Sequence, residues 1–365
     1  MQTEPSRHTG RLGTRPSAVV AVGLGWLLGA AGGCDSGAAP AVVAEAGRGE
    51  TQLGADGHSE TPRPDADSDV GAEAGPVSAA DGGQEAGPAV GCGESPGAVA
   101  ADWPIPDPTT PGSPRAQSYD TSSAGVVLDR VTHLTWQRHV DPVTRTWREA
   151  KQYCACLELG GHDDWRMPSR IELVSIVDFT KNTPSIDSVA FPETPSEWFW
   201  TSSTLAANPE EAWYIYFDNG FSKFILAEDF PYRVRCVRSD PPPAPSARYR
   251  IEAATVVDNK TGLVWERGFT TTGRPWDAAR AYCAQLSVAG GNWRLPSMRE
   301  LQSLVDETRF DPAIDPAAFP DTPGVEFWTG SPVSGAPGSA WRVSFANGYT
   351  YDATVGLDYL ARCVK

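Results

Sequence analysis

The latter part of the chain is an internal repeat, and this feature constrains the fold more than any other. The stretch 147–172 recurs at 276–300, and both copies contain Trp-Arg-x-Pro-Ser-x-x-Glu. The Arg-Cys-Val that closes the first copy at 235–237 recurs at 362–364, so matched positions lie 127 to 129 residues apart. Such a period is long enough for a small domain. The sequence therefore predicts two like domains in tandem, which we place at 101–240 and 241–365.

The cysteines repeat with the rest of the pattern. Each copy has one cysteine in its first predicted helix and one near its end. Because the same pairing is available in both copies, we expect one disulfide per module, as in exported proteins. The predicted pairs are Cys154 with Cys236 and Cys283 with Cys363.

Two further cysteines, Cys92 and Cys156, have no counterpart in the second copy. We expect them to form a disulfide that joins the end of the linker to the first helix. A zinc site is the alternative, but Cys154-x-Cys156 has no second cysteine pair and no suitable histidine nearby. We favour the structural disulfide and predict no metal site.

Each copy predicts the same order of local elements. In the first copy, a hairpin over 126–128 and 134–137 precedes an amphipathic helix over 147–157. Its counterpart helix is predicted over 276–286. Each copy then has a capping box, Ser-x-x-Glu after a proline, which opens a second helix over 170–179 or 298–307. The signature residues are Arg166, Ser169 and Glu172 in the first copy and Arg294, Ser297 and Glu300 in the second.

Strand-like segments follow the helices. In the first copy they lie at 198–202, 213–217, 221–226 and 232–237, and Asn219-Gly220 is a signal for a type I′ turn. Two helices followed by an antiparallel sheet predict an α+β fold for each module.

The first 34 residues resemble an export signal. Arg7, Arg11 and Arg15 precede an apolar run over 18–33 that ends in small residues before Cys34. The run is short for a spanning helix, which needs about 20 apolar residues. The cysteine resembles that of the bacterial lipobox, in which it is diacylated and becomes the mature N-terminus. We expect 1–34 to be a lipoprotein signal peptide and Cys34 the lipid anchor, with plain secretion as the alternative.

Residues 35–100 have a different composition. They consist largely of Ala, Gly, Pro, Ser, Asp and Glu, with 12 acidic and 2 basic residues and no aromatic residue. Such a segment buries too little apolar surface to offset its ordering entropy, so we expect a disordered linker. A flexible chain of this length has an end-to-end distance of roughly 45 Å. The linker would therefore hold the modules away from a membrane, in the cell envelope outside the cytoplasm.

The charge distribution argues against a nucleic-acid partner. The chain has a formal net charge of −16, and neither module carries a surplus of Lys and Arg. DNA- and RNA-binding domains need a basic surface. We therefore expect no nucleic-acid binding.

Catalytic residues are not evident. All five histidines lie before residue 163, so a function common to both modules needs no histidine. The chain has no Gly-x-Ser-x-Gly, His-Glu-x-x-His or phosphate-loop pattern. Glu172 and Glu300 recur, and we favour a role as cap or as partner of the nearby arginine over general acid–base catalysis. The sequence predicts a protein that is not an enzyme and binds no cofactor.

The aromatic residues give the candidate ligand-binding surface. Five tryptophans recur in both copies, and repeated tryptophans in modules of this size are more often core than surface. Among the aromatic residues without an aromatic counterpart, we take Trp198, Tyr214 and Tyr216 as the surface candidates. Asp218 and Asn219 follow them and could supply oxygen ligands to calcium. Because Ala346 replaces Asp218 in the second copy, we favour a hairpin turn there.

The repeated pattern resembles a known bacterial family. It includes Leu-Thr-Trp-Gln at 134–137, Trp-x-x-Ala-x-x-Tyr-Cys at 147–154 and Phe-Trp-Thr-Ser-Ser at 199–203. With the Trp-Arg-x-Pro-Ser motif and the final Arg-Cys-Val, these residues resemble the Legionella collagen-like protein C-terminal domain. The resemblance covers about 127–238 and 256–365. The layout is also similar to the C-type lectin-like domain, in which a first-helix cysteine is bonded to one in the last strand.

This resemblance implies an extracellular binding module, which in the namesake mediates adhesion to sulfated glycans or matrix. The present chain lacks a Gly-X-Y stalk, and its first module is acidic, a poor match for polyanions. We expect a surface-tethered lipoprotein with two non-catalytic modules for adhesion or for glycan or protein recognition. One alternative is a structural envelope-assembly protein with protein partners only. The other is an enzyme on a fold like that of the formylglycine-generating enzymes.

Overall fold

The structure is a computed structural model that describes residues 116–239 and 247–365. The predicted signal peptide with Cys34, the predicted linker and Cys92 lie outside the described residues. The described part consists of two tandem α+β modules with antiparallel sheets and four α-helices. The predicted fold class is confirmed at this level.

The first module contains two antiparallel sheets and two helices. One sheet has the order β1-β2-β3-β7 and the other β4-β5-β6. In the first sheet, Val126 pairs with Gln137, so the predicted hairpin forms. The elements are β1 (Tyr119–Asp120), β2 (Val126–Asp129), β3 (Leu134–Gln137), α1 (Trp147–Ala155), α2 (Arg170–Ser175), β4 (Trp198–Leu205), β5 (Asn208–Tyr216), β6 (Phe221–Leu226) and β7 (Val237–Ser239).

The second module repeats this plan with two three-stranded sheets, β8-β9-β10 and β11-β12-β13. A 3-10 turn at Val288–Gly290 follows its first helix. Within residues 247–365 no strand corresponds to β7, and Val364, the counterpart of Val237, makes single bridges to Trp265 and Arg294. The elements are β8 (Tyr249–Ile251), β9 (Thr255–Asp258), β10 (Val264–Glu266), α3 (Trp276–Gln285), α4 (Met298–Ser303), β11 (Glu326–Pro332), β12 (Ser339–Ser344) and β13 (Thr350–Thr354).

The second helix of each module is shorter than predicted, because it ends at residue 175 or 303 instead of 179 or 307. The Ser175 hydroxyl donates to the carbonyl of Glu172 at 2.6 Å, and Ser303 does the same to Glu300 at 2.7 Å. A side-chain donor to a helical carbonyl competes with the backbone ladder. In the first module the β-branched residues Ile176 and Val177 follow, which also disfavours continuation.

The predicted strand at 232–237 is wrong for most of its length. Tyr232 makes a single bridge to Arg145, and Arg233 makes one parallel bridge to Phe199. Only from Val237 does the chain form a ladder, with β3. The segment changes partners because it crosses from the second sheet to the first, which a local pattern of apolar residues does not reveal.

The hairpin between β5 and β6 forms, but the predicted type I′ turn at Asn219-Gly220 is wrong. Tyr216 pairs with Phe221, which leaves a four-residue loop in which only Gly220 has a positive φ, of 90°. The Asn219 side chain instead accepts the N–H of Phe221 at 3.0 Å. A Cβ at Gly220 would lie 2.6 Å from Val177 Cγ1, so close packing also requires glycine.

The core of each module is closed by a disulfide. Cys154 is bonded to Cys236 and Cys283 to Cys363, which confirms both predicted pairs. All four sulfurs belong to fully buried residues. Four of the five recurring tryptophan pairs are buried as expected, whereas Trp147 and Trp276 are only half-buried.

The two modules share a core through α2 and α4. One hydrophobic cluster contains side chains of both modules. Arg170 is fully buried and donates to Gln302 Oε1 at 2.9 Å and to Glu307 Oε1 at 2.8 Å. In the opposite direction, the buried Arg299 donates to the carbonyl of Val177. These contacts cross the boundary between the repeats.

The contact between the modules is close to two-fold symmetric. Trp213 and Trp341 are equivalent in the repeat, as are Phe221 and Tyr349. The ring of Trp213 lies 5.8 Å from that of Tyr349, and the ring of Trp341 lies 6.4 Å from that of Phe221. The tryptophan of each module thus contacts the same aromatic position of the other module, as in a symmetric dimer interface.

Candidate functional site

The recurring glutamates occupy closed hydrogen-bond sites. Glu172 is fully buried; its Oε2 accepts from Arg166 Nη1 at 2.7 Å and from the Ser169 N–H at 2.8 Å. Its Oε1 accepts from Arg166 Nη2 at 2.6 Å. The carboxylate is therefore both the second half of the capping box and a bidentate partner of arginine. Such an arrangement orients the Trp-Arg-x-Pro-Ser loop, and it offers no oxygen to a substrate.

The second module has the same arrangement. Glu300 accepts from both terminal nitrogens of Arg294, each at 2.7 Å, and from the Ser297 N–H at 2.7 Å. In both modules the arginine backbone also pairs with the last segment of the chain, Arg166 with Val237 and Arg294 with Val364. The signature residues thus join the second helix to the chain end.

Two further arginines, Arg235 and Arg362, are fully buried, one beside each disulfide. Their structural role was not predicted from the sequence. Arg235 donates to the carbonyls of Gln137 and Arg138 at 2.6 and 2.8 Å and to Thr194 Oγ1 at 2.7 Å. Arg362 donates to the Gly268 carbonyl at 3.0 Å and to Thr322 Oγ1 at 2.7 Å. Burial lowers the pKa of each guanidinium to about 9, which leaves both charged near neutral pH. Both side chains are fully buried, and their hydrogen bonds hold these loops in place.

The three aromatic candidates of the first module, Trp198, Tyr214 and Tyr216, lie together. The ring of Trp198 is stacked on that of Tyr216, with centroids 5.3 Å apart, and lies 5.5 Å from Tyr232. Phe230 is stacked on Tyr232 at 6.2 Å, and Tyr214 meets Tyr232 edge-on at 5.2 Å. We call Tyr216, Trp198, Tyr232 and Phe230, with Tyr214 beside them, the aromatic row.

Strand register explains the row. Trp198 of β4 lies directly opposite Tyr216 of β5, so both side chains lie on the same face of the sheet. Tyr214 shares that face because it lies two residues before Tyr216. The returning chain passes β4 at Arg233, which places Tyr232 next to Trp198.

The row combines exposed apolar surface with polar groups. Trp198 is 44% exposed and Phe230 is 42% exposed. Burial raises the pKa of the Tyr214, Tyr216 and Tyr232 hydroxyls, so each stays protonated and can donate a hydrogen bond. Glu197, which precedes Trp198, forms an ion pair with Arg233 at 2.7 Å.

Sequence reasoning missed two members of the row. Tyr232 has an aromatic counterpart, Tyr359, and was therefore not among the unmatched residues. Phe230 is replaced by Leu357 in the second copy, and this difference was a usable signal. Both positions lie on the segment that changes partners, so their proximity to Trp198 needed the tertiary structure.

Asp218 and Asn219 lie at the tip of the β5–β6 hairpin. Asp218 Oδ1 accepts from Thr183 Oγ1 at 2.8 Å, and its charge contributes to the raised pKa of Tyr216. Asn219 caps the turn, as described above. Within the part of the chain that the structure describes, no group of three or more His, Cys, Asp or Glu residues is placed to hold a metal ion.

The second module lacks aromatic residues at three positions of this row. Its residues at the positions of Trp198, Tyr214 and Tyr216 are Glu326, Arg342 and Ser344. The Arg342 guanidinium lies 4.3 Å from the ring centroid of Tyr359 and 5.0 Å from that of Tyr351. The two modules therefore present different chemistry on equivalent faces.

None of the helices in residues 116–239 and 247–365 has the length and apolar character needed to cross a bilayer.

Comparison with known proteins identifies the repeat. No curated protein matches the chain. The family model of the Lcl C-terminal domain matches residues 125–238 and 254–365, which together make up more than half of the chain. Both matches fall within the two modules predicted from the sequence. The chain therefore belongs to the Lcl C-terminal domain family and carries two copies of that domain in tandem.

Proposed function

We propose that this protein is a non-catalytic recognition protein and that the aromatic row of its first module binds a carbohydrate. The observation that carries the proposal is the exposed row itself. Large apolar residues are rarely exposed together on a surface without a binding role. Here Trp198 and Phe230 are both more than two-fifths exposed and lie on either side of Tyr232.

The chemistry of the row suits a sugar. A pyranose has apolar C–H faces and a rim of hydroxyl groups, so it needs aromatic surface and hydrogen-bonding groups side by side. The tyrosine hydroxyls and the Glu197–Arg233 pair supply hydrogen-bonding groups next to the rings. Because the rings are already stacked on one another, little side-chain freedom remains to be lost on binding.

We further propose that each module is C-type lectin-like. Support comes from the disulfide between the first helix and the last segment of each module and from the antiparallel sheet that follows the second helix. The absence of an enzymatic activity is part of the same proposal, since the recurring glutamates are held by their own arginines. The family membership also supports an extracellular binding role, by analogy with the namesake.

Replacing Trp198 tests the binding site. We expect Trp198→Glu, which introduces the residue of the second module, to weaken carbohydrate binding roughly thirtyfold, as for the loss of a hot-spot aromatic worth about 2 kcal/mol. The full oxidised chain would be screened on a glycan array with calcium and with chelator, and hits quantified by calorimetry.

Phe310→Ala is the matched control, since Phe310 is 48% exposed but lies on the loop after α4. It should bind like the unaltered chain. A correctly folded chain that binds no glycan would overturn the proposal. In that case capture of one stoichiometric partner from envelope extracts would support the envelope-assembly alternative, because tryptophan, tyrosine and arginine are also typical of protein interfaces.

We also propose that Cys34 is lipidated and that residues 35–100 tether the modules to a membrane. The small residues before Cys34 and the acidic composition of the following segment support this localisation in the cell envelope. Metabolic labelling with a fatty-acid analogue should mark the unaltered chain, and Cys34→Ala should abolish both the label and membrane fractionation. Labelling that persists in Cys34→Ala would contradict the anchor.

A further inference from the structure

We propose that the carbohydrate site extends across both modules and that its ligand is an extended, uncharged polysaccharide chain. This inference rests on the function proposed above and adds the extent of the site and the class of the ligand. It depends on three observations: the two sheets adjoin, the aromatic row continues past the boundary, and its arginines are paired.

The sheets of the two modules adjoin at their edges. β6 of the first module and β13 of the second are neighbours, and the Ser222 N–H donates to Thr350 Oγ1 at 2.8 Å. The two residues are equivalent in the repeat. The sheets β4-β5-β6 and β11-β12-β13 remain two separate sheets that meet at the edge strands β6 and β13.

The aromatic row continues over this boundary. Phe221 of β6 lies directly opposite Tyr216, a member of the row. The ring of Phe221 lies 6.2 Å from that of Tyr351 on β13. Tyr351 lies opposite Arg342 of β12, whose guanidinium is 5.0 Å from the Tyr351 ring. Arg342 then contacts Tyr359, the counterpart of Tyr232.

The charges along the row are balanced. In the first module Arg233 is paired with Glu197 at 2.7 Å, and in the second module Arg342 lies 3.9 Å from Glu326. Lys223 adds a cation over the ring of Phe221, and Asp218 adds an anion near Tyr216. A polyanion needs a surplus of positive charge, which this row does not supply. The row therefore favours an uncharged ligand.

The length of the row favours a polymer. A single sugar would cover one or two rings, whereas the ring contacts run from Trp198 in the first module to Tyr359 in the second. A long strip of this kind fits a chain that is itself extended and presents apolar faces along its length. Chains of β-1,4-linked pyranoses have this shape, whereas α-linked chains coil.

The test measures the dependence of affinity on ligand length. Uncharged β-1,4-linked oligomers of glucose, N-acetylglucosamine, mannose and xylose, each from disaccharide to octasaccharide, would be titrated into the full chain. α-1,4-linked glucose oligomers and sulfated heparin oligomers serve as comparators. We expect at least one β-1,4-linked series to gain affinity about tenfold or more with length, as the second module is engaged.

Variants of the second module identify the extended part of the site. Tyr351→Ala should remove the gain in affinity with length, whereas Tyr351→Phe should keep the gain because the ring remains. Trp198→Glu should weaken every length. Melting temperature and the Phe310→Ala control check that a loss of binding is not a loss of folding.

The outcomes separate this inference from the proposed function. Binding that depends on Trp198 but does not change with length, or that is unaffected by Tyr351→Ala, overturns the extended site and leaves a carbohydrate site in the first module. Binding to heparin oligomers alone overturns the uncharged ligand. No binding to any glycan overturns the proposed function as well.

Discussion

Replacing Glu172 with Gln should lower the free energy of unfolding by about 3–5 kcal/mol, the usual cost of breaking a buried ion pair. The Arg166 side chain is 6% exposed and that of Glu172 is fully buried, so the remaining guanidinium charge would have little access to water. Glutamine keeps the shape but carries an NH₂ group in place of one oxygen. In either orientation that group faces an N–H of Arg166 or of Ser169, so a donor meets a donor.

The measurement is urea unfolding of the full chain followed by tryptophan fluorescence. Glu228→Gln is the control, because its ion pair with Arg148 is largely exposed and should contribute less than about 1 kcal/mol. Glu300→Gln should have a smaller effect than Glu172→Gln, since the Arg294 side chain is 19% exposed and closer to solvent. A change below about 1 kcal/mol for Glu172→Gln would show that the pair does not stabilise the fold.

Removing the disulfide of the second module should destabilise the chain by about 4 kcal/mol, as estimated from the closure entropy of a loop of this size. Cys283 and Cys363 are 80 residues apart in sequence, and the bond joins α3 to the end of the chain. Without it, the unfolded chain gains the conformations that the cross-link excludes. The double replacement Cys283→Ala with Cys363→Ala avoids placing hydroxyl groups in the apolar cluster around the sulfurs.

Denaturant unfolding of the double variant under oxidising conditions gives the measurement. The equivalent double variant of Cys154 and Cys236 should show a similar loss, because the two loops differ by only two residues in length. Reduction of the unaltered chain before unfolding should produce at least as large an effect. If the double variant unfolds at the same denaturant concentration as the oxidised chain, the cross-link contributes nothing to stability.

The local elements were accessible from the sequence because their causes are local. Capping boxes at Ser169 and Ser297 mark where the second helices begin, and both helices begin at the next residue. The ends of those helices were predicted four residues too late, because the serine that competes with the backbone was not recognised. The strand predicted at 232–237 failed for a different reason, since its partners lie in two sheets.

The candidate site was accessible only in part. Comparison of the two copies selected Trp198, Tyr214 and Tyr216, and the structure places these three on one face. The comparison of the copies could not select Tyr232, whose counterpart is also aromatic. Nor could it show that the aromatic row continues through Phe221 and Tyr351. These residues come together through the return of the chain past β4 and through the contact between modules.

The sequence by itself determined the repeat, the two disulfide pairs, the capped helices and the α+β class, because each follows from periodicity or from matched positions in two copies. Only the tertiary structure decided that the modules share a core through the buried Arg170 and Arg299. It also decided that their sheets adjoin at Ser222 and Thr350. The physical reason is that a repeat encodes the contacts within each copy twice, whereas the packing of one copy against the other adds no periodic signal to the sequence, even where it joins equivalent positions.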